Sequence, residues 1–118
     1  MAYQEANLEY LEDFSSGNYE IVKEIISLFL TQTPEDLKSL EDYLNSQNWD
    51  SAKSMAHHIK PTLFYVGAED LRNQLQFIES HILDENERFD IVNSFPIIKN
   101  RFEVLFRELK DYMSQLPN

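Results

Sequence analysis

Residues 91–116, IVNSFPIIKNRFEVLFRELKDYMSQL, decide the fold class of this chain. Apolar side chains recur there in alternating steps of four and three residues, at Ile91, Phe95, Ile98, Phe102, Leu105, Leu109, Tyr112 and Leu116. An α-helix has about 3.6 residues per turn, so this spacing places all of them on one side of a helix. The stretch therefore predicts a long amphipathic helix with one buried face.

Three upstream segments, over residues 18–46, 49–66 and 69–82, show the same helical spacing. Pro34 lies inside the first segment, so we expect a kink or short break near residues 31–33. The acidic segment 5–14, EANLEYLEDF, is long enough for about two helical turns. The predicted buried stripe of segment 18–46 consists of Ile21, Ile25, Leu28, Phe29, Leu37, Leu40 and Leu44.

The composition also favours helices, because the 118 residues include only 2 glycines. Tight turns between strands consume glycine, whereas a few loops between long helices do not. Amphipathic helices joined by short connections pack antiparallel around a shared core. We predict an all-α fold, an antiparallel up-and-down four-helix bundle with a short N-terminal helix, as one domain over residues 1–118.

The charge balance, 21 acidic against 10 basic residues and a net charge of -11, excludes several classes of partner. Nucleic acids and anionic membranes attract basic surfaces, so neither is expected to bind. No apolar run reaches the roughly 18 residues of a membrane span, and no signal peptide follows Met1. The chain has no cysteine, which excludes disulfides and thiol chemistry. We predict a cytoplasmic location.

The helix over residues 49–66 has an unusual exposed face. On a wheel at about 100° per residue, His57 lies about 150° from the centre of the core side and points to solvent. Lys53, Lys60 and Phe64 share its stripe. Lys60 can neutralise an anion carried by His57, and an exposed phenylalanine suits a partner surface. The predicted core side holds Ala52, Met55, Ala56, Ile59, Leu63 and Val66.

Blander interpretations of the same residues stay open, above all a solvated helix face with an incidental histidine. A metal site from His57, His58 and His81 is disfavoured, because adjacent histidines project about 100° apart on a helix, and no metal site is predicted. No Gly-x-Ser-x-Gly turn is present, which disfavours an independent hydrolase. We expect His58 at the boundary of the bundle and His81 on the surface near a helix end.

Ala56-His57-His58-Ile59-Lys60-Pro61-Thr62, followed by Gly67-Ala68 and Leu71, resembles the signature of the histidine-containing phosphotransfer (HPt) domain family. That signature is Ala-His-x-hydrophobic-Lys-Gly-Ser/Ala, with Gly-Ala further along the chain. The resemblance covers roughly residues 8–83, and the last helix matches only as a generic bundle element.

The resemblance implies that His57 is the phosphorylated residue and that Lys60 is the cation beside the phosphoryl group. It implies a carrier in a multistep two-component phosphorelay, which exchanges its phosphoryl group with response-regulator receiver domains and a hybrid histidine kinase. Such a carrier is not itself an enzyme and has no cofactor of its own; Mg²⁺ is expected on the partner receiver domain. A monomer is expected.

Candidate partner-docking residues are Lys53, Pro61, Phe64 and Gly67. Gly67 matches the family glycine after the phosphohistidine helix, and we assign it a capping role. Pro61 stands where the family usually has glycine and removes the amide that would bond the His57 carbonyl. We therefore expect an altered helix and partner preference rather than lost transfer. The alternative is a non-phosphorylated helical module that docks a receiver or other protein through the same face.

Overall fold

Over residues 3–117, the part of the chain that the computed structural model describes, the backbone forms five α-helices. They are α1 (Glu9–Ser15), α2 (Tyr19–Asn45), α3 (Trp49–Tyr65), α4 (Glu69–His81) and α5 (Glu85–Ser114). Short connections link the four helices α2, α3, α4 and α5 in turn, and the four form an antiparallel bundle. In this bundle α3 packs on α2 and α4, and α5 packs on the same two helices from the other side. The predicted all-α bundle with a short N-terminal helix is confirmed. Met1, Ala2 and Asn118 of the predicted domain lie outside the described residues.

Asparagine and aspartate side chains set where three of the helices begin. The side-chain oxygens of Asn18, Asn48 and Asp84 accept hydrogen bonds from backbone N–H groups in the first turns of α2, α3 and α5. The first N–H groups of a helix have no partner within the helix, so these caps stabilise each start, typically by about 1 kcal/mol.

The core forms largely where the apolar periodicity predicts it. In α5, the six predicted positions from Ile91 to Leu109 are buried and Tyr112 is half-buried; Leu116, also half-buried, lies just beyond the end of the helix. In α3, Met55 is half-buried and the other five predicted positions are buried, namely Ala52, Ala56, Ile59, Leu63 and Val66 at the helix end. The outer face of α3, which carries His57, is therefore fixed by the packing of the opposite face.

In the first half of α2 the predicted buried stripe is only partly correct: Phe29 is buried as predicted, but the stripe before it is shifted. Ile21 and Leu28 are 38% and 68% exposed, whereas Val22 and Ile26 are fully buried. The prediction was wrong by one residue because this segment contains adjacent apolar pairs, and helical periodicity alone does not decide which member of a pair faces the core.

Pro34 does not interrupt α2, so the expected break near residues 31–33 is absent. A proline inside a helix costs about 3 kcal/mol or more. Each large apolar side chain buried on either side of it contributes about 1.5–3 kcal/mol, so packing outweighs the lost hydrogen bond. The buried residues that flank Pro34 are Ile26, Phe29, Leu37 and Leu40.

Gly67 ends α3 in the left-handed conformation, with φ at +67°. Its N–H donates to the Phe64 carbonyl at 3.1 Å, and the Ala68 N–H donates to the Leu63 carbonyl at 3.0 Å. This pair of hydrogen bonds is a Schellman motif, which favours glycine at the left-handed position. The predicted capping role of Gly67 is confirmed.

The segment before α1 lies against the end of α3 and against α5. The Asn7 N–H donates to the Val66 carbonyl at 2.9 Å. The Glu108 carboxylate on α5 accepts hydrogen bonds from three successive backbone N–H groups of the segment. Arg101 adds two hydrogen bonds to the Glu5 carboxylate, each of 3.0 Å. Residues 4–7 are thus hydrogen-bonded both to the end of α3 and to α5, and we call them the N-terminal strap.

Within the described part of the chain, none of the helices has a stretch that is both long and apolar enough to cross a lipid bilayer.

Candidate functional site

His57 lies on the outer face of α3, beside α4, and 68% of its side chain is exposed. Its Nδ1 atom lies 2.9 Å from a carboxylate oxygen of Glu79 on α4. A carboxylate accepts hydrogen bonds, so this contact places a hydrogen on Nδ1. In the neutral ring the lone pair then lies on Nε2, which has no hydrogen-bond partner among residues 3–117. The contact therefore leaves Nε2 as the ring nitrogen whose lone pair is free.

Lys60 lies one helical turn after His57 and reaches the same carboxylate. Its ammonium lies 2.9 Å from the second oxygen of Glu79 and 2.6 Å from the side-chain oxygen of Gln76. Only 22% of the Lys60 side chain is exposed. One carboxylate thus bridges the imidazole and the ammonium.

The Glu79 carboxyl is held in its charged form. The hydrogen bond from Lys60 is the largest effect and lowers the pKa of Glu79 below its ordinary value; the contact with His57 acts in the same direction, against the effect of burial. The Glu79 carboxylate therefore balances the charge of Lys60.

Sequence reasoning missed Glu79 and Gln76. Both lie on α4 beside buried core positions, and they are three residues apart, so they share one helix face. That spacing is visible in the sequence, but it does not tell which neighbouring helix the face meets. Lys53, by contrast, is exposed and makes no hydrogen bond or ion pair within residues 3–117. Of the two predicted cations, the structure joins only Lys60 to the histidine through a shared partner.

The prediction placed His58 at the boundary of the bundle, whereas the structure places it on the surface. Its side chain is 61% exposed, and its Nε2 atom lies 3.2 Å from an Asp36 carboxylate oxygen on α2. The adjacent position on a helix projects about 100° away, so His58 faces α2 while His57 faces α4. Its contact uses the ring nitrogen that is free in His57.

The three histidines do not converge. His81 is the last residue of α4, as predicted near a helix end, and its ring stacks on Phe77 at 4.4 Å. Within residues 3–117, no group of three His, Asp or Glu side chains is arranged to hold a metal ion.

The family model of the Hpt domain matches residues 24–118. This chain belongs to the Hpt domain family. The match includes α5, which the resemblance seen in the sequence covered only as a generic bundle element. The phosphorelay intermediate protein rdeA of Dictyostelium discoideum is 27% identical to this Hpt domain over 105 residues, which cover 88% of the chain. The aligned part is 41% of that relative, so the chain spans about two fifths of its length. No solved structure matches significantly.

Pro61 of this Hpt domain lies within α3, which continues without a break to Tyr65. The expected change in the helix is therefore not an interruption. The residue is exposed and lines a shallow cavity of about 400 Å³ beside Lys60, Phe64 and Arg72. The chain thus presents a compact ring where the family usually has glycine.

Phe64 is 42% exposed, as predicted, but its ring has neighbours within the Hpt domain. It lies 4.7 Å from the Tyr10 ring of α1 and 6.1 Å from Tyr65. Phe14 stacks on Tyr10 at 6.0 Å, and the Arg72 guanidinium lies 5.7 Å from the centre of the Phe64 ring. We call Tyr10, Phe14, Phe64 and Tyr65 the aromatic patch. Sequence reasoning missed its α1 members because Tyr10 and Phe14 precede Phe64 by 50 positions or more in the sequence.

Proposed function

We propose that this Hpt domain carries a phosphoryl group on Nε2 of His57 within a multistep two-component phosphorelay. The observation that carries the proposal is the Glu79 carboxylate, which contacts both His57 Nδ1 and Lys60 Nζ at 2.9 Å. It leaves Nε2 free as the nucleophile and fixes a cation one turn away. The family match and the relative whose name is phosphorelay intermediate protein support the same function.

His57 and the aspartyl phosphate of the receiver account for every bond that forms and breaks in the transfer step. The Nε2 lone pair attacks the phosphorus of a receiver aspartyl phosphate, the N–P bond forms, and the P–O bond to the aspartate breaks. The aspartate leaves as a carboxylate. The hydrogen stays on Nδ1, so the phosphorylated ring carries a positive charge, which the Glu79 carboxylate stabilises. The ammonium of Lys60 faces the negative charge of the phosphoryl oxygens.

The phosphocarrier supplies little else to the chemistry. Phosphoryl transfer depends mainly on positioning and on charge neutralisation. We propose that a partner receiver domain contributes its aspartate and a bound Mg²⁺ ion, whose charge offsets that of the transferred group. This division makes the chain a carrier rather than an enzyme.

His57 is favoured over the neighbouring His58 on three counts. In His57 the nitrogen that contacts a carboxylate is Nδ1, whereas in His58 it is Nε2, the less hindered ring nitrogen. Lys60 shares a carboxylate with His57, whereas the Asp36 carboxylate at His58 also accepts a hydrogen bond from the neutral Gln32 amide. His57 also faces the same side of the molecule as Phe64.

We propose that receiver domains and a hybrid histidine kinase dock on the surface formed by Lys53, Pro61 and the aromatic patch. The patch rings are 40–58% exposed and already packed against one another, so little side-chain freedom is lost on binding. Gly67, the fourth predicted docking residue, is covered by the Asn7 backbone. We therefore assign Gly67 an indirect role through the N-terminal strap. We propose a cytoplasmic monomer as the working form.

A labelling experiment tests this function. Incubation with a phosphorylated receiver and Mg²⁺ is expected to give a phosphate on this chain that is labile in acid and stable in alkali. The His57→Gln variant is expected to lose the label, and the matched His58→Gln variant to keep it. Equal labelling of His57→Gln and the parent would falsify the assignment. Receiver binding without any label on the parent would favour the non-phosphorylated interaction module.

A further inference from the structure

Gln76 makes the shortest contact of the site. Its side-chain oxygen accepts a hydrogen bond from the Lys60 ammonium at 2.6 Å. Its side-chain nitrogen donates to the Ser80 hydroxyl at 2.8 Å, one turn further along α4. An amide has one accepting and one donating end. Because Ser80 occupies the donating end, the accepting end of Gln76 is turned towards Lys60.

Two acceptors restrain the ammonium where one would not. A lysine ammonium has three hydrogens, and Gln76 and Glu79 take two of them. The third stays available to a phosphoryl oxygen. A lysine side chain is long and flexible, so a single contact with Glu79 leaves the ammonium free to pivot.

The neutral charge of Gln76 matters as much as its position. Glu79 already balances the positive charge of Lys60, and a second carboxylate at this distance would face the incoming phosphoryl group with net negative charge. An amide gives the hydrogen bond without adding that charge. Gln76 thus restrains Lys60 and keeps its attraction for an anion.

We propose that Gln76 is a positioning residue, which holds the Lys60 ammonium, one helical turn from His57, where it can meet the transferred phosphoryl group. This inference rests on the proposed phosphocarrier function. Gln76 would act through Lys60, because its side chain contacts Lys60 and Ser80 rather than His57.

The test measures the rate of phosphoryl transfer from a phosphorylated receiver, at a receiver concentration that saturates binding. Gln76→Leu is expected to slow transfer about tenfold, because it removes a hydrogen bond to a charged group. The dissociation constant for the receiver is measured alongside, and slower transfer at saturating receiver with an unchanged dissociation constant is the result expected of a positioning residue. Gln76→Glu is expected to slow transfer as well, despite its retained acceptor. Gln74→Leu is the matched control, an exposed glutamine on the same helix, and should transfer at the parent rate.

A double-mutant cycle separates positioning from a structural effect. In a Lys60→Ala background, Gln76→Leu should cause no further slowing, because the group that it positions is gone. A tenfold loss that persists in this background overturns the inference, as does an unchanged rate for Gln76→Leu in the parent. If His57→Gln is still labelled, the proposed function itself fails. If labelling requires His57 and Gln76→Leu is silent, only the role of Gln76 fails.

Discussion

Substitution of Gly67 by alanine tests the contact between the N-terminal strap and the end of α3. A Cβ atom at this position would collide with the backbone carbonyl of Asn7. Because backbone atoms cannot rotate away as a side chain does, the strap must move. The Asn7 N–H would then lose its 2.9 Å hydrogen bond to the Val66 carbonyl.

The expected loss of stability has two parts. A non-glycine residue in the left-handed conformation costs roughly 1–2 kcal/mol. The lost backbone hydrogen bond adds about 1 kcal/mol, for a total of about 2–3 kcal/mol. Gly17→Ala is the matched control, because Gly17 has φ at +81° but no atom within 4 Å of an added Cβ. It should lose only the conformational part, roughly 1–2 kcal/mol.

Urea unfolding followed by far-ultraviolet circular dichroism gives both values, and amide hydrogen exchange locates the change. We expect the free energy of unfolding to fall by about 1 kcal/mol more for Gly67→Ala than for Gly17→Ala. Exchange of the Asn7 amide should accelerate only in Gly67→Ala. Equal losses in the two variants, with Asn7 still protected, would refute the close contact between the strap and Gly67.

Three further substitutions test the site. Lys60→Ala should slow transfer to His57 by at least about tenfold while the helical circular dichroism persists, measured by labelling kinetics. Glu79→Gln should be less stable than the parent above the ordinary carboxyl pKa of 4.5. This difference should close as pH falls through the lowered folded-state pKa, measured by urea unfolding across pH, because protonated Glu79 loses the same interactions. Phe64→Ala should weaken receiver binding by about 1–2 kcal/mol in a titration, whereas Phe89→Ala, which is 75% exposed on α5, should not.

The fold was predictable because single-helix periodicity carries most of its information. In the stripe from Ile91 to Leu109, Phe102 and Leu109 each lie between two charged residues, which fixes the buried face even where other positions have apolar neighbours. All six of its predicted positions are buried. The first half of α2 offers two choices at each step, Ile21 or Val22 and then Ile25 or Ile26, and there the prediction chose the wrong stripe. Periodicity specifies the buried face of a helix only where polar residues exclude a second apolar stripe beside the first.

The site was predictable to the extent that it lies on one helix. His57, Lys60 and Phe64 share a stripe of α3, and their spacing alone places them together. Glu79 comes from α4 and Tyr10 from α1, so their contacts depend on how the helices pack. Sequence reasoning treated Lys60 as an unpaired cation near His57, whereas in the structure both residues contact the Glu79 carboxylate.

The atom that carries the phosphoryl group tests the central claim most directly. Nuclear magnetic resonance of the phosphorylated chain, with nitrogen-15 in its histidines, distinguishes phosphate on Nε2 from phosphate on Nδ1 and assigns the residue. The contact between Glu79 and His57 Nδ1 predicts phosphate on Nε2 of His57. Phosphate on Nδ1 of His57, or on either nitrogen of His58, would contradict it.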